Sequence, residues 1–428
     1  NTVLGYPAEA YRLGYAWIMS ISFMMAVVVV YLLYAPRLHR LARSHEFVTP
    51  GDWVDHRFGS PALSLVTNLL LVVSIANYLL AQLMAMGHVV AGLSGNLVPY
   101  WAGVVVLILV IIIYETLGGL RAVVWTDVLQ GLMLFVGLLG LMAAISPGPV
   151  HWRELTSWLH ENAPATTAVP SLSVSARWLS SIVLIGFGAA VYPQAIQRIF
   201  AAQGPRALKN SLQLMVFMPM VTMPIVVLVG LTGLRRFRDL GGVTADQVLP
   251  MLLRDWAQDS LWTYIMAVLV VTGILAAIMS TADSVLLSLS SILSKDFLGK
   301  KFLRNASSER LTVIGQRISW VLIAGLATIA FSPRMTLWGL IELKMEILVQ
   351  VSPVFVLGAI WDRLTARAAL VGISVGALLT SASVLMGVRS LWGFHSGLLA
   401  WVVNVALCVF LSTLHNQHRL PREQSRHG

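Results

Sequence analysis

The sequence predicts an all-α polytopic membrane protein, and three observations predict it. Of the 428 residues, 57% are hydrophobic and only 11% are charged. A soluble domain carries roughly 25% charged residues, so the polar surface needed to cover so apolar an interior is missing. The apolar runs, such as FMMAVVVVYLLY (23–34) and WAGVVVLILVIII (101–113), are continuous and sit in stretches of about 20 residues, the length a helix needs to cross a bilayer. A transmembrane barrel would show alternating segments of ~10 residues instead. Finally, the single cysteine, Cys408, excludes a disulfide framework and a multi-cysteine metal site.

Eleven spans are expected, over 14–35, 64–93, 100–116, 124–146, 176–200, 211–233, 260–294, 313–332, 335–361, 368–387 and 395–414. Alternate loops differ in charge. One set, from Arg37, Arg40, Arg43 and Arg57 to Arg363, Arg367 and the basic tail, is about twice as rich in Lys and Arg as the other, so it is assigned to the cytoplasm. The net charge of +10 is then topology rather than a nucleic-acid footprint. This places the N-terminus outside and the C-terminus inside a cell (inner) membrane. The chain begins at Asn1 with neither a basic region nor an apolar core of a signal peptide; residues 1–13 are expected to be the end of a helix whose beginning is absent. Between the fourth and fifth spans, VHWRELTSWLHEN (150–162) has the pattern of a short surface helix.

Intramembrane polar residues are the functional candidates, because each is costly in lipid. The span 260–294 gathers Ser280, Thr281, Asp283 and Ser284 after Gly273. Ala277, Ser280 and Thr281 share one helix face. Two readings stand: a small-residue face for close helix packing, which composition alone favours, and a cation site of hydroxyl and carbonyl oxygens. In ETLGGLRAVVWTDVLQG (115–131), Asp127 reads as a helix cap or as an acidic way-station for a cation, and spacing favours the cap. In the span 176–200, Gly186, Gly188 and Pro193 predict either a broken helix lining a cavity or a proline kink, with Tyr192 and Gln194 as polar contacts. Span 335–361 holds Glu342, Lys344 and Glu346; the two glutamates share a face, and Lys344 points elsewhere, either to a polar cluster at the pore or snorkelling outward. Asn68, Asn77, Gln82 and His88 in the span 64–93 are expected to make hydrogen bonds between helices. No hydrolytic or redox constellation is present, so the chain is not expected to be an enzyme.

Four segments carry a resemblance. LGGLRAVVWTDVLQ (117–130), ILAAIMSTADSVLLSLSSILSKDF (274–297), TPGDWVDHRFG (49–59) and YPQAIQRIFAA (192–202) lie in family order and resemble the sodium/solute symporter family. The resemblance implies a five-plus-five inverted-repeat core of the LeuT-like type, here lacking most of core helix one, followed by two peripheral C-terminal helices. Residues 1–163 become the first repeat and its outer loop, 164–361 the second repeat, and 362–428 the peripheral helices and tail. The resemblance further implies a sodium site formed by the Ala277 carbonyl and the Ser280 and Thr281 hydroxyls, with Asp127 at the cytoplasmic cation exit. Phe187, Tyr192, Gln194, Glu342, Lys344 and Glu346 are the candidate substrate residues.

The function expected is sodium-coupled import of a small polar organic solute by alternating access. IGFGAAVYPQ (185–194) lacks the aromatic pair expected of the sugar branch, so a carboxylate, amino acid or vitamin is expected rather than a sugar. Two alternatives remain: a transporter-like sensor domain, although the 14-residue tail HNQHRLPREQSRHG holds no kinase module, and an inactive, N-terminally truncated fragment of a symporter. The partners implied are sodium, the solute and the lipid bilayer, with no nucleic acid; oligomeric state is not legible.

Overall fold

The computed structural model describes residues 2–117, 120–145, 149–299 and 307–417. Gly118, Gly119 and the basic tail after Gln417 lie outside them. Among the described residues, nine helical segments are long and apolar enough to cross a membrane, and the stretches Tyr100–Ile113 and Gly131–Gly140 add two shorter apolar ones. These eleven correspond one for one to the expected spans. Large apolar side chains such as Leu33, Leu69, Leu214, Phe217 and Val321 are exposed on the flanks, as a lipid-facing belt requires.

The chain opens with α1 (Thr2–Leu13), a 3-10 stretch over Gly14–Met19, and α2 (Ser20–His45). α2 runs further than the hydropathy predicts, carrying Arg37, Arg40 and Arg43 on its last turns until Glu46 adopts a left-handed conformation that ends it. α3 (Pro50–Phe58) is a short amphipathic helix. Thr49 caps it, Pro50 starts it, Asp52 accepts from the Val48 and Thr49 N–H groups at 2.9 Å, and Gly59 stops it. The motif TPGDWVDHRFG is thus a complete helix with both caps. Its Arg57 donates to the Gly358 and Asp362 carbonyls at 2.9 and 3.0 Å, supplying partners to a helix end that has none of its own. Lys295 binds Asp52 at 2.7 Å. Burial pushes the Asp52 carboxyl up, but Lys295 and the two N–H groups outweigh it and hold the group below its usual range.

α4 (Pro61–Ser94), α5 (Tyr100–Leu117) and α6 (Leu120–Ile145) follow, then α7 (Pro149–Asn162), the surface helix read from 150–162. α8 (Leu172–Ala189) and α9 (Pro193–Ala201) are two halves of one span; α10 (Pro205–Arg236) leads through a 3-10 segment, Gly242–Gln247, to α11 (Val248–Trp256). α12 (Leu261–Ser291), α13 (Ser308–Ala330) and α14 (Leu337–Ile360) complete the core, and α15 (Ala366–Leu385) and α16 (Ser396–Gln417) flank it, joined through the hairpin β1 (Ser390–Leu391) and β2 (Phe394–His395).

The packing has the symmetry of an inverted repeat. Set α1, α2, α4, α5 and α6 against α8–α9, α10, α12, α13 and α14, in order. Four contacts between these helices then have a counterpart. α1 packs on α10 as α8 packs on α2; α4 packs on α14 as α12 packs on α6; α4 packs on α5 as α12 packs on α13; and α4 packs on α13 as α12 packs on α5. α14 and α4 are the most buried spans, which is why their polar side chains meet protein rather than lipid. Where α1 crosses α10, Gly230 permits the approach: a β-carbon there would lie 2.4 Å from the Pro7 carbonyl oxygen. Tyr6, Trp17, Phe23 and Trp338 fill the space beside this crossing, with ring centroids 4.7–6.0 Å apart.

Candidate functional site

The site is built around a broken helix. α8 ends at Ala189, Tyr192 leaves the helical region at φ −57°, ψ 126°, and Pro193 begins α9. Proline fits that first position because its missing N–H is unpaired there in any case. The break leaves helix-end carbonyls in the protein interior, where each needs a donor. α2 supplies two: Tyr31 donates its hydroxyl to the Ala189 carbonyl at 2.9 Å, and Tyr34 donates to that of Ala190. The segment is therefore a built discontinuity with its own partners, not a proline kink.

Tyr192 stacks on Tyr78 of α4, centroids 5.3 Å apart and planes at 21°. Across the pair lies Lys344 of α14. Its ammonium is 3.4 Å from the Tyr78 ring centroid and 5.0 Å from that of Tyr192, and the residue is 2% exposed. Lys344 does not snorkel. Gln82, one turn along α4 from Tyr78 and on the same face, is buried with neither end of its amide hydrogen-bonded, and the Gln194 Oε1 is likewise buried without a partner among the described residues. Phe187 packs on Trp401 of α16 with centroids 5.0 Å apart. Of the expected inter-helix hydrogen bonds in α4, Gln82 and the His88 ring nitrogens form none among the described residues.

Glu342 and Glu346 lead away from the break. Glu342 accepts from the Trp338 indole N–H at 2.8 Å, and the His395 ring of β2 lies 4.0 Å from Glu342 and 3.8 Å from Glu346. Ser181 of α8 holds the same ring at 3.1 Å. Burial, with the Arg177 charge, pushes His395 down to about 4, so the ring is neutral at pH 7. The three charges of α14 thus divide: Lys344 faces the break, and the two glutamates face the hairpin.

On α12, Ala277, Ser280 and Thr281 are half-buried, and Ile278 is buried. The Thr281 hydroxyl donates to the Ala277 carbonyl at 2.7 Å, which leaves its lone pairs available to accept. α12 lies against α6 at close range. A β-carbon on Gly140 would meet Met266, one on Gly137 would meet Val270, and one on Gly273 would come within 2.8 Å of the Leu134 Cα. Each step down α6 is matched by one along α12 over these contacts, and the first turns of α6 lie further along the same direction. Asp127 belongs to that stretch of α6, but its side chain lies outside the described residues. Toward the next turns, Ser284 accepts from Arg198 at 2.9 Å and Ser288 donates to Gln197 at 2.6 Å, tying α12 to α9.

At the end of the bundle away from α3, Asp246 is fully buried. It accepts from the Leu337 N–H at 2.9 Å, capping α14, with Arg12 at 3.9 Å and the His88 ring at 4.0 Å. Burial raises its carboxyl to about 7, against the pull of the Leu337 N–H and Arg12. The folded protein therefore keeps a proton that the unfolded chain loses near its usual carboxylate range. The stabilisation is fullest below about pH 4 and is lost as pH rises through about 7, with a limiting slope of about 1.4 kcal/mol per pH unit. Thermal unfolding in detergent is expected to fall between about pH 5 and about pH 8, and Asp246→Asn is expected to flatten that fall. An equal slope in the variant would assign the dependence elsewhere.

Sequence reasoning missed Tyr78 and Asp246. Neither stands out in the sequence: Tyr78 is an uncharged residue inside an apolar span, and Asp246 lies in the connection between two expected spans.

Comparison with known proteins agrees with this architecture. The model of the sodium:solute symporter family matches residues 1–376. The high-affinity proline transporter PutP of Bacillus subtilis (strain 168) is 25% identical over 392 residues, 88% of this chain and 79% of its own. The sodium/pantothenate symporter of Escherichia coli (strain K12) is 25% identical over 410 residues, 92% and 81% of the two chains. A sodium-coupled sialic acid symporter in a substrate-bound, outward-open state superimposes with a TM-score of 0.74 at 19% identity, over 96% of this chain and 86% of that one.

Proposed function

The chain belongs to the sodium:solute symporter family, and from that premise we propose that it imports a small polar organic solute by alternating access, driven by sodium. It is a membrane-embedded, multi-pass transporter and not an enzyme. The observation that carries the finer reading is the tyrosine-capped break between α8 and α9 with Tyr192 and Lys344 beside it. Inverted-repeat transporters form solute sites at such discontinuities.

In this reading Ala277, Ser280 and Thr281 hold the sodium ion. A carbonyl and two hydroxyls are the hard oxygen donors such an ion takes, and they stand on the face of α12 nearest α6. Asp127, on the first turns of α6, forms the way out to the cytoplasm, at the end where the arginine-rich loops lie. Tyr192, Gln194 and Lys344 face the solute, and Phe187 positions the break against α16. Glu342 and Glu346 serve the contact with the His395 hairpin. A carboxylate, amino acid or vitamin suits the site better than a sugar. A buried ammonium gains most from a negative partner, and both relatives named by substrate carry carboxylate-bearing solutes.

The test is uptake of labelled proline, pantothenate, simple hydroxy acids and glucose into proteoliposomes of the complete protein, in sodium and in choline. Sodium-dependent uptake of a carboxylate without uptake of glucose is expected. Uptake indifferent to sodium, or confined to glucose, would overturn the reading.

A further inference from the structure

We infer that the solute is a net anion, a carboxylate without a neighbouring ammonium, whose carboxylate binds Lys344. This rests on the solute site proposed above and narrows it.

Lys344 is 98% removed from solvent by the arithmetic of its 2% exposure, yet among the described residues it has no carboxylate and no hydrogen-bond acceptor. Its ammonium lies only on the faces of Tyr78 and Tyr192. Ring faces compensate a desolvated cation partly, through their quadrupoles. They do not replace the anion that a buried charge ordinarily requires. The acids that could have served stand on the same helix and turn away. Glu342 and Glu346 are two residues from Lys344 on either side, which places them across the helix axis from it, and they lie 4.0 and 3.8 Å from the His395 ring. Among the described residues no acid stands on the Lys344 side, and the negative charge is assigned to the solute.

A second observation at the same level points to the same ligand. Gln82 is 1% exposed and neither end of its amide is hydrogen-bonded. It stands on the Tyr78 face of α4 and offers an N–H donor for a second carboxylate oxygen. An ammonium and an amide N–H are both donors, a carboxylate is the acceptor that binds such donors most strongly, and a buried donor left unpaired is penalised. The site thus selects by charge. An α-amino acid brings its own ammonium within a bond or two of its carboxylate, and so close to the Lys344 ammonium. Like charges at such separation repel strongly where water is excluded. Among the described residues Lys344 forms no ion pair that would offset that second positive charge, and its contacts are the two tyrosine rings.

The experiment uses molecules of one skeleton that differ in charge: tetrahydrofuran-2-carboxylate (anion), L-proline (zwitterion) and tetrahydrofuran-2-carboxamide (neutral). Pantothenate and pantothenyl alcohol form a second matched set. Each is tested at millimolar concentration for thermal stabilisation of the complete protein, with sodium and with choline, in wild type, Lys344→Met and Lys344→Arg. Sodium alone is expected to stabilise all three proteins, which reports the proposed sodium reading independently of the solute. With sodium present, only the anions are expected to add stabilisation. Lys344→Met should weaken their binding by roughly ten- to a hundredfold, the range for a lost charge-assisted hydrogen bond, and Lys344→Arg should retain part of it. Methionine replaces a buried charge with an apolar chain of similar length, and the sodium response of the variant confirms that it folds. Stabilisation by proline, the amide or the alcohol equal to that by the anions would overturn the inference. So would anion binding unchanged in Lys344→Met, or a sodium response with no anion binding at all. Loss of the sodium response in wild type would instead overturn the proposed sodium coupling.

Discussion

Replacing both Ser280 and Thr281 by alanine in the complete protein is expected to raise the sodium concentration for half-maximal uptake by roughly ten- to a hundredfold, the worth of one to two lost contacts to a charge. The reasoning is chemical. Each substitution removes one hydroxyl of the proposed sodium site and little apolar volume, so packing and insertion are barely touched. The Ala277 carbonyl keeps its place in the helix but loses the Thr281 hydroxyl bonded to it at 2.7 Å. Thr281→Ser keeps that oxygen and should shift the sodium dependence far less. The competing account is that the small residues exist for contact between α12 and α6. It predicts a different pattern: alanine is smaller than either side chain and preserves close approach, so sodium dependence would be unchanged in the double variant. Titrating uptake against sodium in the single and double variants, with membrane insertion measured alongside, separates the two accounts.

The second large effect concerns the break itself. Tyr31→Phe with Tyr34→Phe removes two hydroxyls and nothing else; the buried Ala190 carbonyl loses its tyrosine donor, and that of Ala189 keeps only the Tyr192 N–H at 3.3 Å. A buried polar group left unsatisfied costs about 1–3 kcal/mol, and a hydrogen bond lost from an acceptor that keeps another donor about 0.5–1.5 kcal/mol, so the pair is expected to destabilise by roughly 1.5–4.5 kcal/mol, subject to the non-additivity of neighbouring sites. The solute site should suffer too, since Tyr192 follows these carbonyls directly and its ring must hold the stack on Tyr78. Thermal unfolding in detergent and the KM for uptake are the two readouts. An unfolding temperature equal to wild type would show that the hydroxyls do not sustain the break.

How much of this was legible in the sequence depends on whether the signal was local. The break was, since Gly186, Gly188 and Pro193 mark it within a few residues. α3 carries a local signal too, since Thr49, Pro50, Asp52 and Gly59 are cap chemistry at fixed offsets, although sequence reasoning expected a loop there. The spans were legible from hydropathy, though the end of α2 was not: the helix continues past the apolar run because nothing stops it before Glu46. The site was only half legible. Lys344 announced itself as a charge in an apolar span, but its direction was open, because spacing shows that it lies opposite Glu342 and Glu346 without showing which side faces protein. Tyr78 carries no charge and breaks no pattern, and only the packing of α4 on α14 brings it to Lys344. Asp246 reads as one more loop acid until the fold buries it against the first turn of α14. Polar residues whose partners lie in distant helices are silent in one dimension.

The central claim is that sodium and solute move together, and accumulation against a gradient tests it most directly. Proteoliposomes of the complete protein are loaded with potassium, placed in sodium with the labelled carboxylate that the uptake panel identifies, and then treated with a sodium ionophore. The account predicts that the solute rises above its external concentration while the sodium gradient stands and drains back when the ionophore collapses it. Accumulation that never passes equilibrium, or that survives collapse of the gradient, would contradict it.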